Sequence, residues 1–257
     1  MADEQSLSRS ERRRLAREQA KLGGDGGGRW GRRFAIWGGT LVVLALIVWG
    51  MVVVATRPVT PAAGASLLDP VTATDWVREV SATSTTAASS SVATLVEYSD
   101  FECPACGYFA PEVKQLLADF PGQLRLVYRH FPLRSIHPNA ELAAQAAEAA
   151  GRQNPAKFWE MADLLFEKQE EWATSQDAAA LFTRYATTLG LSTTQFVNDL
   201  DSPLVVANVE NDFTSATKQG LLGTPSFFLN GVQIQNPQSY DDFRELITEA
   251  LINANAQ

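Results

Sequence analysis

Cysteine is nearly absent from this chain: Cys103 and Cys106 are the only two in 257 residues. A framework of several disulfides is thereby excluded, and whatever the two sulfurs do is local to one segment. Histidine is equally scarce. His130 and His137 have no metal-ligand spacing to each other or to the cysteines, so the paired clusters of a structural zinc site are missing; no metal and no cofactor is expected. Positive charge is also depleted outside the N-terminus. Residues 1–33 hold nine Lys/Arg against five Asp/Glu, and the remainder holds twelve against twenty-four, so the bulk of the chain is a poor partner for nucleic acid.

Long apolar runs are missing with one exception. Between Arg33 and Arg57, residues 34–56 carry no charge, and 23 residues at ~1.5 Å each span the hydrocarbon core of a bilayer with some tilt. Trp30, Trp37 and Trp49 sit near the ends of this run. Arg29, Arg32 and Arg33 crowd one flank against Arg57 on the other, which predicts a transmembrane helix with residues 1–33 as a cytoplasmic basic tail. A cleaved signal peptide is the competing reading, because Ala63-Gly64-Ala65 offers a small-residue site. The run is longer than a signal h-region of about 7–15 residues, which favours an uncleaved anchor. Either way the rest of the chain is exported, to the outer side of the cell membrane.

Residues 57–91 are rich in Pro, Ala, Ser and Thr and read as an extracytoplasmic linker, with one short ordered piece around DWVREV. From Val92 the pattern becomes compact. VATLVEYSD reads as a buried strand, PACGYFAPEVKQLLADF as a helix closed by Pro121-Gly122, and LRLVYRHFPL as a second strand. Residues 137–221 carry four or five helical segments with readable boundaries: Asn154-Pro155 and Ser202-Pro203 open helices, Ser192 with Gln195 forms a capping box, and Gly190 stops one. SFFLNGVQI, with Asn230-Gly231 as its turn, is a hairpin, and an amphipathic helix from Ser239 closes the chain. The whole predicts an α/β sheet interrupted by a helical insertion, in a domain over 92–257.

The chemistry sits at Cys103-Pro104-Ala105-Cys106, where a C-x-x-C pair follows a strand and opens a helix. A sulfur in the first turn of a helix lies beside unpaired N–H groups and the positive end of the helix dipole, both of which favour thiolate over thiol. Cys103 is the expected nucleophile. Cys106, one turn deeper, is the expected resolving thiol, and three-residue spacing on a helix allows the two to close a disulfide. A static disulfide and a pair of inert thiols are the alternatives, and the strand-to-helix position argues against both.

VEYSDFECPAC, VYRHFPL at 127–133, the intervening helical block and GTPSFFLNG at 223–231 occur in the order of a known family. Over about residues 92–256 the chain resembles the DsbA-like branch of the thioredoxin superfamily, including its membrane-anchored, disulfide-forming members. The resemblance implies a thioredoxin-like fold with an inserted helical subdomain. It implies that Pro225 is the cis-proline facing the dithiol, that Thr224 offers backbone hydrogen bonds to an extended substrate, and that Glu97 is a buried carboxylate accepting the proton of the deeper cysteine. Read from residues alone, a strand-edge Glu97 pointing to solvent is the alternative. Pro111 matches a helix kink and is structural. Strongly oxidising members often carry His where this chain has Ala105, which leaves the redox direction open between oxidase and reductase or isomerase. His130, on the second strand, reads as structural, and His137 as a loop or helix-entry residue. The implied function is disulfide formation in exported thiol-containing proteins, with a membrane oxidase as the reoxidising partner; a tethered, non-catalytic client-binding module is the rival from another class.

Overall fold

The computed structural model describes residues 68–80 and 92–255, together with Arg13, Arg14 and Arg17, which are helical and exposed in a separate unit ending at Pro58. The apolar run expected to cross a membrane lies outside the described residues. Among the described residues no helix is long and apolar enough to do so.

Among the described residues five strands form one sheet: β1 (Trp76–Glu79), β2 (Ala93–Ser99), β3 (Leu124–His130), β4 (Ser226–Leu229) and β5 (Val232–Gln233), in the order β1-β3-β2-β4-β5. β2 and β3 are parallel, so a crossover must join them, and helix α1 (Pro104–Asp119) provides it. The other pairings are antiparallel. β2 is central and covered on both faces, which is why it reads as a nearly unbroken apolar run. Leu95 faces a core built with Val113 and Leu116 of α1 and Phe243 of the last helix, α8 (Tyr240–Asn255). Val96 faces the opposite core, with Val127, Phe131 and Phe228. Since side chains alternate along a strand, Glu97 shares the face of Leu95 and is carried into the interior beneath α1. Asn230 and Gly231 both have positive φ, 50° and 82°, the conformation a two-residue hairpin with the native twist demands.

The helical insertion comprises α2 (Ala140–Gln153), α3 (Pro155–Glu167), α4 (Gln169–Trp172), α5 (Ala178–Thr188), α6 (Thr193–Leu200) and α7 (Pro203–Lys218). The element beyond the four or five expected is α4, a single turn of four residues. The cap signals act as written: the Asn154 side chain accepts from the Ala156 N–H at 2.9 Å, and Ser192 Oγ accepts from the Gln195 N–H at 3.3 Å. Small residues of α2, Ala143, Ala146, Ala147 and Ala150, are fully buried and let Phe158, Met161, Trp172 and Phe182 close around them.

The compact domain begins earlier than residue 92. The short piece around Asp75–Val80 is an edge strand, β1, with Trp76 opposite Tyr128 of β3. Its order comes from partners remote in the chain. Trp76 stacks on Phe158 with ring centroids 4.2 Å apart, and Gly151 leaves the room, since a Cβ there would lie 2.3 Å from the indole. Asp75 pairs with the buried Arg129 at 2.7 Å, and Arg129 also donates to the carbonyls of Asp69 and Pro70 and to the Tyr98 hydroxyl.

Candidate functional site

α1 starts at the C-terminal end of β2, and Cys103 is its N-cap residue, with extended backbone (φ −71°, ψ 121°). Pro104 takes the first helical position, where its missing N–H costs nothing and its fixed φ suits the turn. Both sulfurs are free thiols; Cys103 is at the edge of burial and Cys106 is fully buried.

The two sulfurs differ sharply in acidity. The Cys103 thiol is held down to about 5, first by a hydrogen bond from the Cys106 thiol and, with burial opposing, by Thr224 and the backbone N–H groups of Cys106 and Ala105. The Cys106 thiol is pushed well up, chiefly by burial and then by its neighbours Cys103 and Glu97. This is the asymmetry expected when one sulfur meets the open end of a helix and the other lies a turn inside it.

The Thr224–Pro225 bond is cis, and the Thr224 carbonyl accepts from the Cys103 thiol at 3.4 Å. That contact suits the neutral thiol; the Thr224 hydroxyl, buried without a hydrogen bond of its own, is a donor free to serve the thiolate. Thr224 and Pro225 also line the wall of an open groove with Leu222, which is fully exposed, and Ile234.

Glu97 is 3% exposed and not at a solvent-facing edge. Burial raises its carboxyl to about 7; the Ser99 hydroxyl tempers the rise, although no hydrogen bond of normal length links the two, and negative charge on Cys103 adds to it. Glu97 lines a cavity of about 30 Å³ with Tyr128, Lys114 and Asp163. The carboxyl is thus a group that changes protonation near neutral pH beside the buried sulfur.

The structure brings Cys103, Cys106, Glu97, Thr224 and Pro225 together in one place and leaves His130 out. His130 Nε2 lies 3.2 Å from Glu148, and its backbone N–H donates to Asp212. His137 has a contact that its loop position does not announce. Its Nδ1 is 2.7 Å from Asp100 Oδ2, and the same oxygen accepts from the Leu133 N–H, tying the segment before Cys103 to the loop after β3. Glu102 accepts from the Asn139 N–H at 2.7 Å. Gln169 of α4 donates from Nε2 to the carbonyls of Phe101 at 2.7 Å and Cys103 at 2.9 Å. No local pattern flags these residues, because each acts on a group more than thirty positions away.

A family model described as Thioredoxin matches residues 83–249. Among solved structures, the chain is similar to BdbD from Bacillus subtilis at 24% identity, covering 73% of this chain and 98% of that one with a TM-score of 0.60. It is similar to a thioredoxin-like oxidoreductase from Silicibacter pomeroyi DSS-3 at 26% identity, 72% and 95% coverage and a TM-score of 0.53. For alpha-DsbA1 from Wolbachia pipientis the figures are 19%, 74%, 96% and 0.59. Curated relatives include the Na(+)/H(+) antiporter NhaA 3 of Salinispora tropica, 38% identical over 161 residues, which are 63% of this chain and 24% of that protein. The NhaA antiporter of Herminiimonas arsenicoxydans is 40% identical over 148 residues, 58% and 22% of the two chains. This chain therefore spans about a quarter of the length of the curated relatives it matches. It belongs to the thioredoxin family, and its fold is that of the DsbA-like thiol-disulfide oxidoreductases.

Proposed function

We propose that this protein introduces disulfides into exported thiol-containing proteins, with Cys103 as the exchanging sulfur. The observation that carries the reading is the contrast between a Cys103 thiol held down to about 5 and a Cys106 thiol pushed well up. In the oxidised enzyme a substrate thiolate attacks the Cys103 sulfur, the Cys103–Cys106 bond breaks, and Cys106 leaves with the electron pair. Cys106 then takes a proton, for which Glu97 is the group at hand, its carboxyl titrating near 7 inside the protein. A second substrate thiolate attacks the substrate sulfur of the mixed disulfide and releases Cys103 as thiolate. The substrate has lost two electrons and the dithiol has gained them. Because Cys103 is a stable anion at neutral pH, it leaves readily and the reduced enzyme is favoured. Thr224 and Pro225 form the wall against which an extended substrate lies.

The site of action follows from residues 34–56. Their uncharged run and arginine-rich flank support a single-pass anchor with the catalytic domain outside the cell membrane, within reach of exported substrates and of a membrane oxidase that restores the disulfide. The test is the rate of disulfide formation in a reduced two-cysteine peptide. Cys103→Ser and Cys106→Ala both abolish it, the second because the intramolecular disulfide that oxidises the peptide can no longer form. Undiminished rates in Cys103→Ser refute the enzymatic reading and favour a binding module; activity seen only with a supplied reductant, as disulfide cleavage, favours the reductase.

A further inference from the structure

The peptide joining Cys103 to Pro104 decides where the first N–H groups of α1 point relative to the Cys103 sulfur. It offers few handles. Proline removes the N–H, and Cys103 as N-cap makes no capping bond through its side chain, so the Cys103 carbonyl is the polar group left to grip. Within the helix that carbonyl accepts from the Gly107 N–H at 3.1 Å. Its other partner is the Gln169 amide, which spends one bond there at 2.9 Å and another on the Phe101 carbonyl at 2.7 Å.

We propose that Gln169 is a positioning residue for the Cys103 nucleophile: its amide, carried by the helical insertion, holds the carbonyls of Phe101 and Cys103 and so fixes the start of α1 under the sulfur. The inference rests on the reading of Cys103 as nucleophile and deepens it.

Two observations beyond the hydrogen bonds support it. The first is Gly107. A glycine inside a helix is unfavourable relative to alanine, yet here a Cβ would lie 2.9 Å from Gln169 Oε1 and 3.3 Å from its Cδ and Nε2. The glycine makes the space that the amide fills. The second is that α4 is itself held to the same segment. Trp172 is buried with its indole N–H on the Leu165 carbonyl, and Asn139 Nδ2 donates to the carbonyls of Trp172, Ala173 and Ser175. The Asn139 N–H in turn binds Glu102, the residue before Cys103. α4 and the active-site segment are thus tied at two points, and Gln169 is the tie that reaches Cys103 itself.

The experiment uses the full-length chain and reads the Cys103 titration from the pH dependence of its alkylation rate, with mass spectrometry to assign the modified sulfur. Gln169→Met keeps the bulk and deletes the donors. Freed from its partner, the Cys103 peptide no longer holds the Ala105 and Cys106 N–H groups on the thiolate, and the titration midpoint rises by about half a pH unit, roughly a threefold fall in the thiolate-to-thiol ratio. Gly107→Ala, a change that alone favours a helix, displaces the amide and raises the midpoint likewise, but adds nothing in the Gln169→Met background. An unchanged midpoint in either single variant, or additive rises in the double variant, overturns the proposal. If Gln169→Met does not fold, Gly107→Ala decides alone. Neither reading uses turnover, so failure here is distinct from failure of the enzymatic assignment, which the Cys103→Ser rate decides.

Discussion

Changing the pH around the active-site dithiol tests the link between geometry and redox direction. With both sulfurs protonated, reduction of the disulfide takes up two protons with two electrons, and the potential falls by about 59 mV per pH unit. Above the Cys103 pKa the reduced protein holds one proton fewer, and the slope halves to ~30 mV. With Cys103 held down to about 5 and Cys106 pushed well up, the break falls near pH 5 and the shallow limb covers the neutral range. The sign is fixed by which state carries the anion. Only the reduced protein has a thiolate, so whatever stabilises it favours reduction of the enzyme and oxidation of the substrate. At pH 7, two pH units above a pKa of about 5, the gain over an unperturbed thiol near ~8.5 is about 2.7 kcal/mol, or roughly 60 mV. The sulfur lies at the edge of burial, and solvent screening removes up to about half of this, so that roughly 30 to 60 mV remains. The expected potential therefore lies above the ~−270 mV of thioredoxin and, without a histidine at Ala105, below the ~−120 mV of DsbA. Equilibration with glutathione at pH 4 to 8, corrected for the buffer couple, measures both slope and position. A slope of ~59 mV maintained to pH 8, or a potential at or below −270 mV, would falsify the oxidase reading.

Two further outcomes follow from buried charge. Glu97 has its carboxyl raised by burial from 4.5 to about 7, so the folded state loses stability as pH rises through that window and holds steady above it; Glu97→Gln, lacking the ionisation, gains on the parent protein by about 3 kcal/mol between pH 4 and pH 8 in denaturant melts, and parallel profiles for the two proteins contradict a buried titrating carboxyl. Arg129→Met strands Asp75 as a buried carboxylate without its cation and costs about 3 kcal/mol or more, with new proteolytic cleavage within 68–80; unchanged melting and an intact segment show that β1 is held without this ion pair.

Much of the site was legible because its signals are local. The dithiol announces itself by following a strand and opening a helix, and Asn154, Ser192 and Asn230-Gly231 act through bonds to residues two or three positions away or through their own φ. Such signals survive without knowledge of the rest of the chain. β1 was legible only as a short ordered piece around DWVREV, since four residues beside a Ser/Thr-rich stretch carry too little pattern to show that they pair as a strand; their order comes from Phe158, Arg129 and the room left by Gly151.

The same division runs through the chemistry. Residue type and spacing determined which sulfur lies at the helix start and which lies a turn inside, because helical geometry relates positions three apart in any fold. Only the tertiary structure decided that Glu97 faces inward and titrates near 7, that Asp100 meets His137, and that Gln169 reaches back to the Cys103 carbonyl. Burial and hydrogen bonding are sums over neighbours drawn from the whole chain, so the acidity of a group and the grip on a peptide exist only once β2, α1 and the helical block have packed together.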